Sequence, residues 1–180
     1  FGATGGVMEA AIRTAYEIVA GEEVPFEKLN VIPVRGMEGI RKAEVPIKKA
    51  VDDWKFLEGA TLKVIVSHGT ANAKKVMEML VKGELDDYHF IEIMACPGGC
   101  LGGGGQPIPT SPEIREARAK AIYDEDQGLK IRKSHENPIV KKIYEEFLTE
   151  GPCGHKSHEL LHTTYTPRGK WIGKQPQKGK

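Results

Sequence analysis

The chain has 180 residues, of which 39% are apolar and 28% charged, with a formal net charge of +1. That length and composition suit one soluble globular domain with a substantial core. The near-zero charge gives no argument for nucleic acid or an anionic membrane, and no apolar segment reaches membrane-spanning length. Three cysteines are too few for a disulfide framework, and an odd count containing a close pair favours metal or redox chemistry in a reducing compartment.

In chain order, Gly5 and Gly6 precede VMEAAIRTAYEIVAG, where Met8, Ala11, Ile12, Ala15 and Val19 recur at helical spacing and Gly21 supplies a stop. KLNVIPVRG and KAEVPIKKA are short extended runs broken by Pro33 and Pro46. They are expected to form a hairpin of edge or irregular strands. ATLKVIVSHG carries the core run Val64-Ile65-Val66; TANAKKVMEMLVKGEL places Ala73, Val76, Met77 and Leu80 on one helical face; YHFIEIMAC reads as a buried strand. Strand, loop, helix, strand is the βαβ pattern, which calls for a parallel sheet with helices on its faces. After Pro112, EIREARAKAIYDEDQG, NPIVKKIYEEFLTEG and SHELLHTTY read as helices, the second opened by Asn137-Pro138. From Pro167 the chain is basic and polar, the composition of a disordered tail. The first residue is Phe1, not Met, and the opening looks like the inside of a motif, so a preceding segment is expected.

The stretch EIMACPGGCLGGGGQP, Glu92 to Pro107, sets Cys96 and Cys100 at the end of the last strand. Pro97, Gly98 and Gly99 oppose a helix between them, so the stretch is a loop. Two thiolates beside bare backbone suit soft metal, an iron–sulfur cluster above all, because glycines let main-chain N–H groups approach an anionic cluster closely. A cubane takes four protein thiolates and this loop offers two, so other ligands must come from elsewhere. The alternative reading makes both cysteines small buried apolar residues beside a turn. Cys153 sits near His155, His158 and His162. Their spacing is not a standard zinc pattern, and a packed helix end with hydrogen-bonded imidazoles is preferred. FGATGGV resembles a phosphate-cradling turn but matches neither GxGxxG nor the P-loop; it implies a helix N-terminus packed against something bulky or anionic.

Taken together, FGATGGVMEA, VRGMEGIRKAEVPI, SHGTANAKKV, EIMACPGGCLGGGGQP, KIRKSHENPIVKKIYEEF and GHKSHELLHTTY resemble, in order, the C-terminal half of the catalytic domain of iron-only hydrogenases ([FeFe]-hydrogenases). The likeness runs from Phe1 to Arg168. It implies an α/β fold: one lobe of a two-lobed domain, a twisted, mainly parallel sheet flanked by helices, with a helical C-terminal extension. Residues 1–111 would be the second lobe, 112–168 a small-subunit-like helical region and 169–180 the basic tail.

The cofactor implied is the H-cluster, a 4Fe–4S cubane bridged to a diiron subcluster with CO, CN and dithiolate ligands. By motif position Cys96 and Cys100 would be its metal ligands, with the Cys100 sulfur bridging cubane and diiron unit. Met94 would lie near the diiron unit, sharing the catalytic assignment with Cys100, and Phe1, Val7 and Met94 would surround the cofactor. The family's other two cysteine motifs have no counterpart here. The N-terminal half of the catalytic domain, or a partner subunit carrying the other cluster cysteines, is therefore expected. Further iron–sulfur clusters would lie upstream, and the isolated chain would be inactive. H2 and protons would be the substrates, with ferredoxin or nicotinamide-linked electron-transfer subunits as redox partners, and the fused small-subunit-like region favours the cytoplasm. A rival reading is a Nar-type iron–sulfur cluster assembly protein, non-catalytic; those end in a short tail closing on tryptophan, whereas Trp171 is followed by further residues.

Overall fold

The computed structural model of the chain describes residues 1–166; the tail expected at 169–180, with Trp171, lies outside them. A first compact unit runs Phe1–His135, and a second begins at Glu136.

The first unit is built on three strands: β1 (Ile40–Pro46), β2 (Thr61–His68) and β3 (Phe90–Met94), in that order across the sheet. The run Val64-Ile65-Val66 is continuous because β2 is central and covered on both faces. Val64 and Val66 join Met8, Ile12, Tyr16 and Ala20 of α1 (Gly6–Ala20), along with Val31, Val34, Ala43 and Val45. Ile65 points the other way, to Val76 of α2 (Thr70–Val81) and Leu85. Each such side chain taken fully out of water contributes about 1.5–3 kcal/mol. β2 and β3 are parallel, joined through α2 as the βαβ pattern requires.

Several expectations need correction. β1 pairs with β2 antiparallel, Ile40 opposite Ser67, so the sheet is mixed rather than mainly parallel. The expected hairpin does not form. Its first arm is two 3-10 turns, Glu27–Leu29 and Ile32–Val34, which use Pro33 where no ladder N–H is needed and drive Val31 and Val34 into the core against α1. β3 is not a buried strand: among the described residues its ladder is to β2 alone, Phe90 and Ile93 are exposed, and the buried residue is Glu92. On α1 the buried stripe follows Met8, Ile12, Tyr16 and Ala20, leaving Ala15 exposed; on α2, Met77 faces outward.

A third helix, α3 (Pro112–Gly128), is capped by the Ser111 hydroxyl, which accepts the Ile114 N–H at 3.2 Å. It packs within the first unit, burying Ala119 with Ala3 and Leu101. A charge network ties its end to α1. The Glu9 Oε1 accepts from Arg13 Nη2 at 2.7 Å, Arg35 Nη2 at 2.7 Å and the Val31 N–H at 3.0 Å. Asp126 of α3 accepts from Arg13 Nη1 at 2.9 Å and Arg132 Nη2 at 2.6 Å. Burial alone would raise the Asp126 carboxyl, but hydrogen bonds from Arg13 and Arg132, and their charges, hold it well below the usual carboxylate range. Lys133 pairs with Glu17 at 2.8 Å and Glu23 at 3.1 Å, fixing the segment after α3.

In the second unit, α4 (Pro138–Glu146) starts where the Asn137 side chain accepts the Ile139 N–H at 2.9 Å. Lys156 of α5 (His155–Leu161) lies 3.6 Å over the Phe147 ring and donates to the Phe147 carbonyl at 2.7 Å.

Candidate metal centre

Parallel strands gather ligand sites at their carboxyl ends, where the backbone leaves the sheet. Here those ends are His68 of β2 and Met94 of β3, tied together by the Gly69 N–H donating to the Met94 carbonyl at 2.9 Å. From Met94 the chain turns into the cysteine loop, and the N-terminal segment before α1 lies against it. Ala3 and Gly99 form an antiparallel bridge, Cys100 N–H donates to the Gly2 carbonyl at 2.9 Å, and Thr4 N–H donates to the Gly98 carbonyl at 3.3 Å. Gly99 makes this approach possible: it sits at φ +77°, and a Cβ there would come within 2.9 Å of both the Gly2 carbonyl oxygen and the Thr4 nitrogen and 2.7 Å of the Met94 sulfur.

The sequence-predicted residues are thus carried by two adjoining segments, Phe1–Val7 and Met94–Cys100. Cys96 is half-buried and Cys100 exposed, both as free thiols; Met94 is half-buried. Phe1 is 73% exposed and Val7 39%. An exposed Cys100 does not fit the reading of both cysteines as buried apolar filler. The donor set and its surroundings suit a soft metal: both thiols are free, and Gly103, whose missing Cβ would stand 3.6 Å from the Cys96 sulfur and 3.7 Å from the Cys100 Cα, leaves bare backbone between the two residues. Beyond it Gly104 and Gly105 face open space.

Buried polar groups brace the two segments from behind. Arg41 donates to the Thr4 and Val34 carbonyls, at 2.9 and 3.0 Å from Nη2. His68 Nδ1 lies 3.2 Å from the Thr4 hydroxyl, and burial, with Arg41 and Arg115 nearby, pushes the imidazole pKa down. From α3, Arg118 donates to the Leu101 carbonyl at 2.8 Å and the Pro107 carbonyl at 2.9 Å, closing both ends of the glycine run. Residue reading missed Glu92, whose carboxylate accepts the Gly5 and Met8 N–H groups at the start of α1. The one available signal was the anion that the FGATGGV helix start calls for. The second cysteine group does not assemble: among the described residues Cys153, His158 and His162 do not bring three ligand atoms together, Cys153 is exposed, and the two imidazoles stack with centroids 4.4 Å apart.

Residues 1–104 match the model of the iron only hydrogenase large subunit, C-terminal domain, and residues 112–168 match that of the iron hydrogenase small subunit. The chain belongs to the iron-only hydrogenase family. It is 46% identical over 169 residues to the NADP-reducing hydrogenase subunit HndD of Solidesulfovibrio fructosivorans, covering 93% of this chain and 26% of the relative. It is 32% identical over 164 residues to a protein of Drosophila virilis named "Probable cytosolic Fe-S cluster assembly factor", covering 90% of this chain and 31% of that one. Among solved structures, an [FeFe]-hydrogenase HydA1 variant from Chlamydomonas reinhardtii superposes with a TM-score of 0.72 at 42% identity, over 92% of this chain and 45% of that chain. This hydrogenase-family chain therefore spans under half the length of these proteins. Among its described residues no helix is long and apolar enough to cross a membrane.

Proposed function

We infer that this chain forms the second lobe of an iron-only hydrogenase catalytic unit, with Cys96 and Cys100 as iron ligands and the Cys100 sulfur as the bridge within an H-cluster. The observation that supports the reading is the union of the two segments: the backbone of Gly2–Thr4 is bonded onto the cysteine loop at Gly98–Cys100, so the two stretches to which the family motif assigns cofactor residues adjoin. When bound, the H-cluster supplies an open iron position, an amine base and an electron-carrying cubane for the interconversion of H2 with protons and electrons. The chain's own residues do the rest. Both thiols give up their protons to bind metal, and two of the cubane's four ligands come from elsewhere. Met94 offers a polarizable thioether beside the loop. Phe1 and Val7, exposed in this chain, become the apolar wall once a first lobe closes over them and water is excluded. Hydrogenase turnover thus needs the first lobe and its cysteines. Electrons would be exchanged with ferredoxin or a nicotinamide-linked subunit, and the compartment proposed is the cytoplasm.

The rival reading, a non-catalytic cluster assembly factor, draws on the Drosophila relative. The higher identity to HndD and the small-subunit match over 112–168 favour the hydrogenase. Infrared spectroscopy of the matured protein, this lobe together with the first, separates the two. Bands of iron-bound CO and CN are expected, and an ordinary cluster spectrum without them would favour assembly. Cys100→Ala should remove those bands and abolish H2 turnover; turnover retained in that variant would contradict the bridging role.

A further inference from the structure

Glu92 stands two residues before Met94 and four before Cys96. Its carboxylate leaves β3 and meets the start of α1, more than eighty residues earlier in the chain: Oε1 accepts the Gly5 N–H at 2.6 Å and Oε2 the Met8 N–H at 2.7 Å. The residue is only 8% exposed. Burying a carboxylate is costly unless both oxygens find donors, and here each has a short charge-assisted bond at the positive end of a helix.

The helix has no side-chain cap of its own. Gly5, at its N-cap, sits at φ +91°, and a Cβ there would fall 2.1 Å from the Val34 carbonyl oxygen, so serine, threonine or aspartate cannot occupy the position. The cap comes from β3 instead. The first turn of α1 is therefore held by the same strand that presents Met94 and Cys96. The backbone just before that turn, at Thr4 and Gly2, is bonded to Gly98 and Cys100 of the cysteine loop.

We propose that Glu92 is a positioning residue of the metal centre, locking the first turn of α1 to β3 so that Phe1–Val7 and Met94–Cys100 keep a fixed spacing around the cofactor. The lock is a property of this chain; its consequence for the cofactor rests on the hydrogenase reading. Glutamine keeps one acceptor oxygen and should restore part of the lock, whereas alanine keeps none.

Two measurements test it. In the 180-residue chain, amide hydrogen exchange and iodoacetamide alkylation are compared for wild type, Glu92→Gln and Glu92→Ala. Alanine should speed exchange at Gly5 and Met8 by about tenfold or more and alter the alkylation rate of Cys100, with glutamine between the two. Exchange at Ala73, in α2 on the opposite face, should be unchanged. Unchanged exchange at Gly5 and Met8 overturns the lock. In the matured two-lobe protein, the CO and CN bands should shift or broaden in Glu92→Ala and return toward wild type in Glu92→Gln; identical bands in all three overturn the positioning role. Should wild type itself show no such bands, the hydrogenase reading fails, and the lock stands or falls on exchange and alkylation. If the alanine variant does not fold, the glutamine variant decides by exchange: faster exchange than wild type at Gly5 and Met8 supports the lock, and exchange equal to wild type overturns it.

Discussion

The helices α1 and α2 pack on opposite faces of the same sheet, yet they are held differently. α2 relies on ordinary apolar contact: Val76 is fully buried beside Ile65 and Leu85, while Met77 and Val81 point outward at 53% and 86% exposure. α1 buries Met8, Ile12, Tyr16 and Ala20, and also Glu9 and Arg13, each only 4% exposed. Buried charge adds little net stability over a well-packed apolar core, but it fixes geometry because every donor and acceptor must be matched. The chain places those groups on the helix that begins at the candidate metal centre, and leaves the other helix with generic packing.

The comparison breaks most easily at Arg13. Its guanidinium touches Glu9, Asp126 and the carbonyls of Leu29 and Arg132. Arg13→Ala removes charge-assisted bonds to both carboxylates at once, Glu9 keeping Arg35 and the Val31 N–H and Asp126 keeping Arg132, and is expected to cost about 3 kcal/mol in urea unfolding. A loss below about 1 kcal/mol would show that the network on α1 is no more demanding than the packing of α2.

Acid sharpens the same contrast. The Asp126 carboxyl has its folded pKa depressed by Arg13 and Arg132, so its stabilising contribution is present above the unfolded carboxylate value of about 3.9 and is lost as pH falls through the folded one. The buried His68, also depressed, adds a second acid-side loss: folded, it stays neutral, while the unfolded imidazole takes up a proton below about 6.5. Asp126→Asn should cost about 1–3 kcal/mol at pH 7 and flatten the decline in stability between pH 5 and 3, read from urea midpoints against pH. A variant whose decline parallels wild type would remove Asp126 as the sensor.

What could be read from the residues, and what could not, follows the same division. Helices α1 and α2, the central strand and the cysteine loop announce themselves through periodicity, a three-residue β-branched core run and a Pro-Gly-Gly spacer, all local signals. Glu92 does not, because in a run read as a buried apolar strand nothing local says that the glutamate is the residue taken inside while Ile93 is exposed. Glu9 and Arg13 likewise have the spacing of a surface helix pair; only the turn at 29–35 and Asp126, 113 residues from Arg13, convert them into an interior network. The antiparallel partner of β1 was hidden by the two prolines: Pro46 argues correctly for an edge strand but says nothing about its neighbour, and Pro33 belongs to a turn. The assignment of Phe1 and Val7 to the cofactor rests on resemblance alone, since an exposed apolar residue carries no signal of its own about what it would face.

The smallest effect belongs to the outer face of α2. Val81 is 86% exposed at the last turn of the helix, so replacing it removes almost no buried area. Val81→Lys should change the unfolding free energy by no more than about 0.5 kcal/mol, the range of surface substitutions that touch no cap, charge pair or core. A lysine there also lies at the helix C-terminus, where a cation interacts favourably with the dipole, so the sign expected is neutral to slightly stabilising. A clear destabilisation would mean that the outer face of α2 is covered in the folded chain, and that the helices resemble each other more than their packing implies.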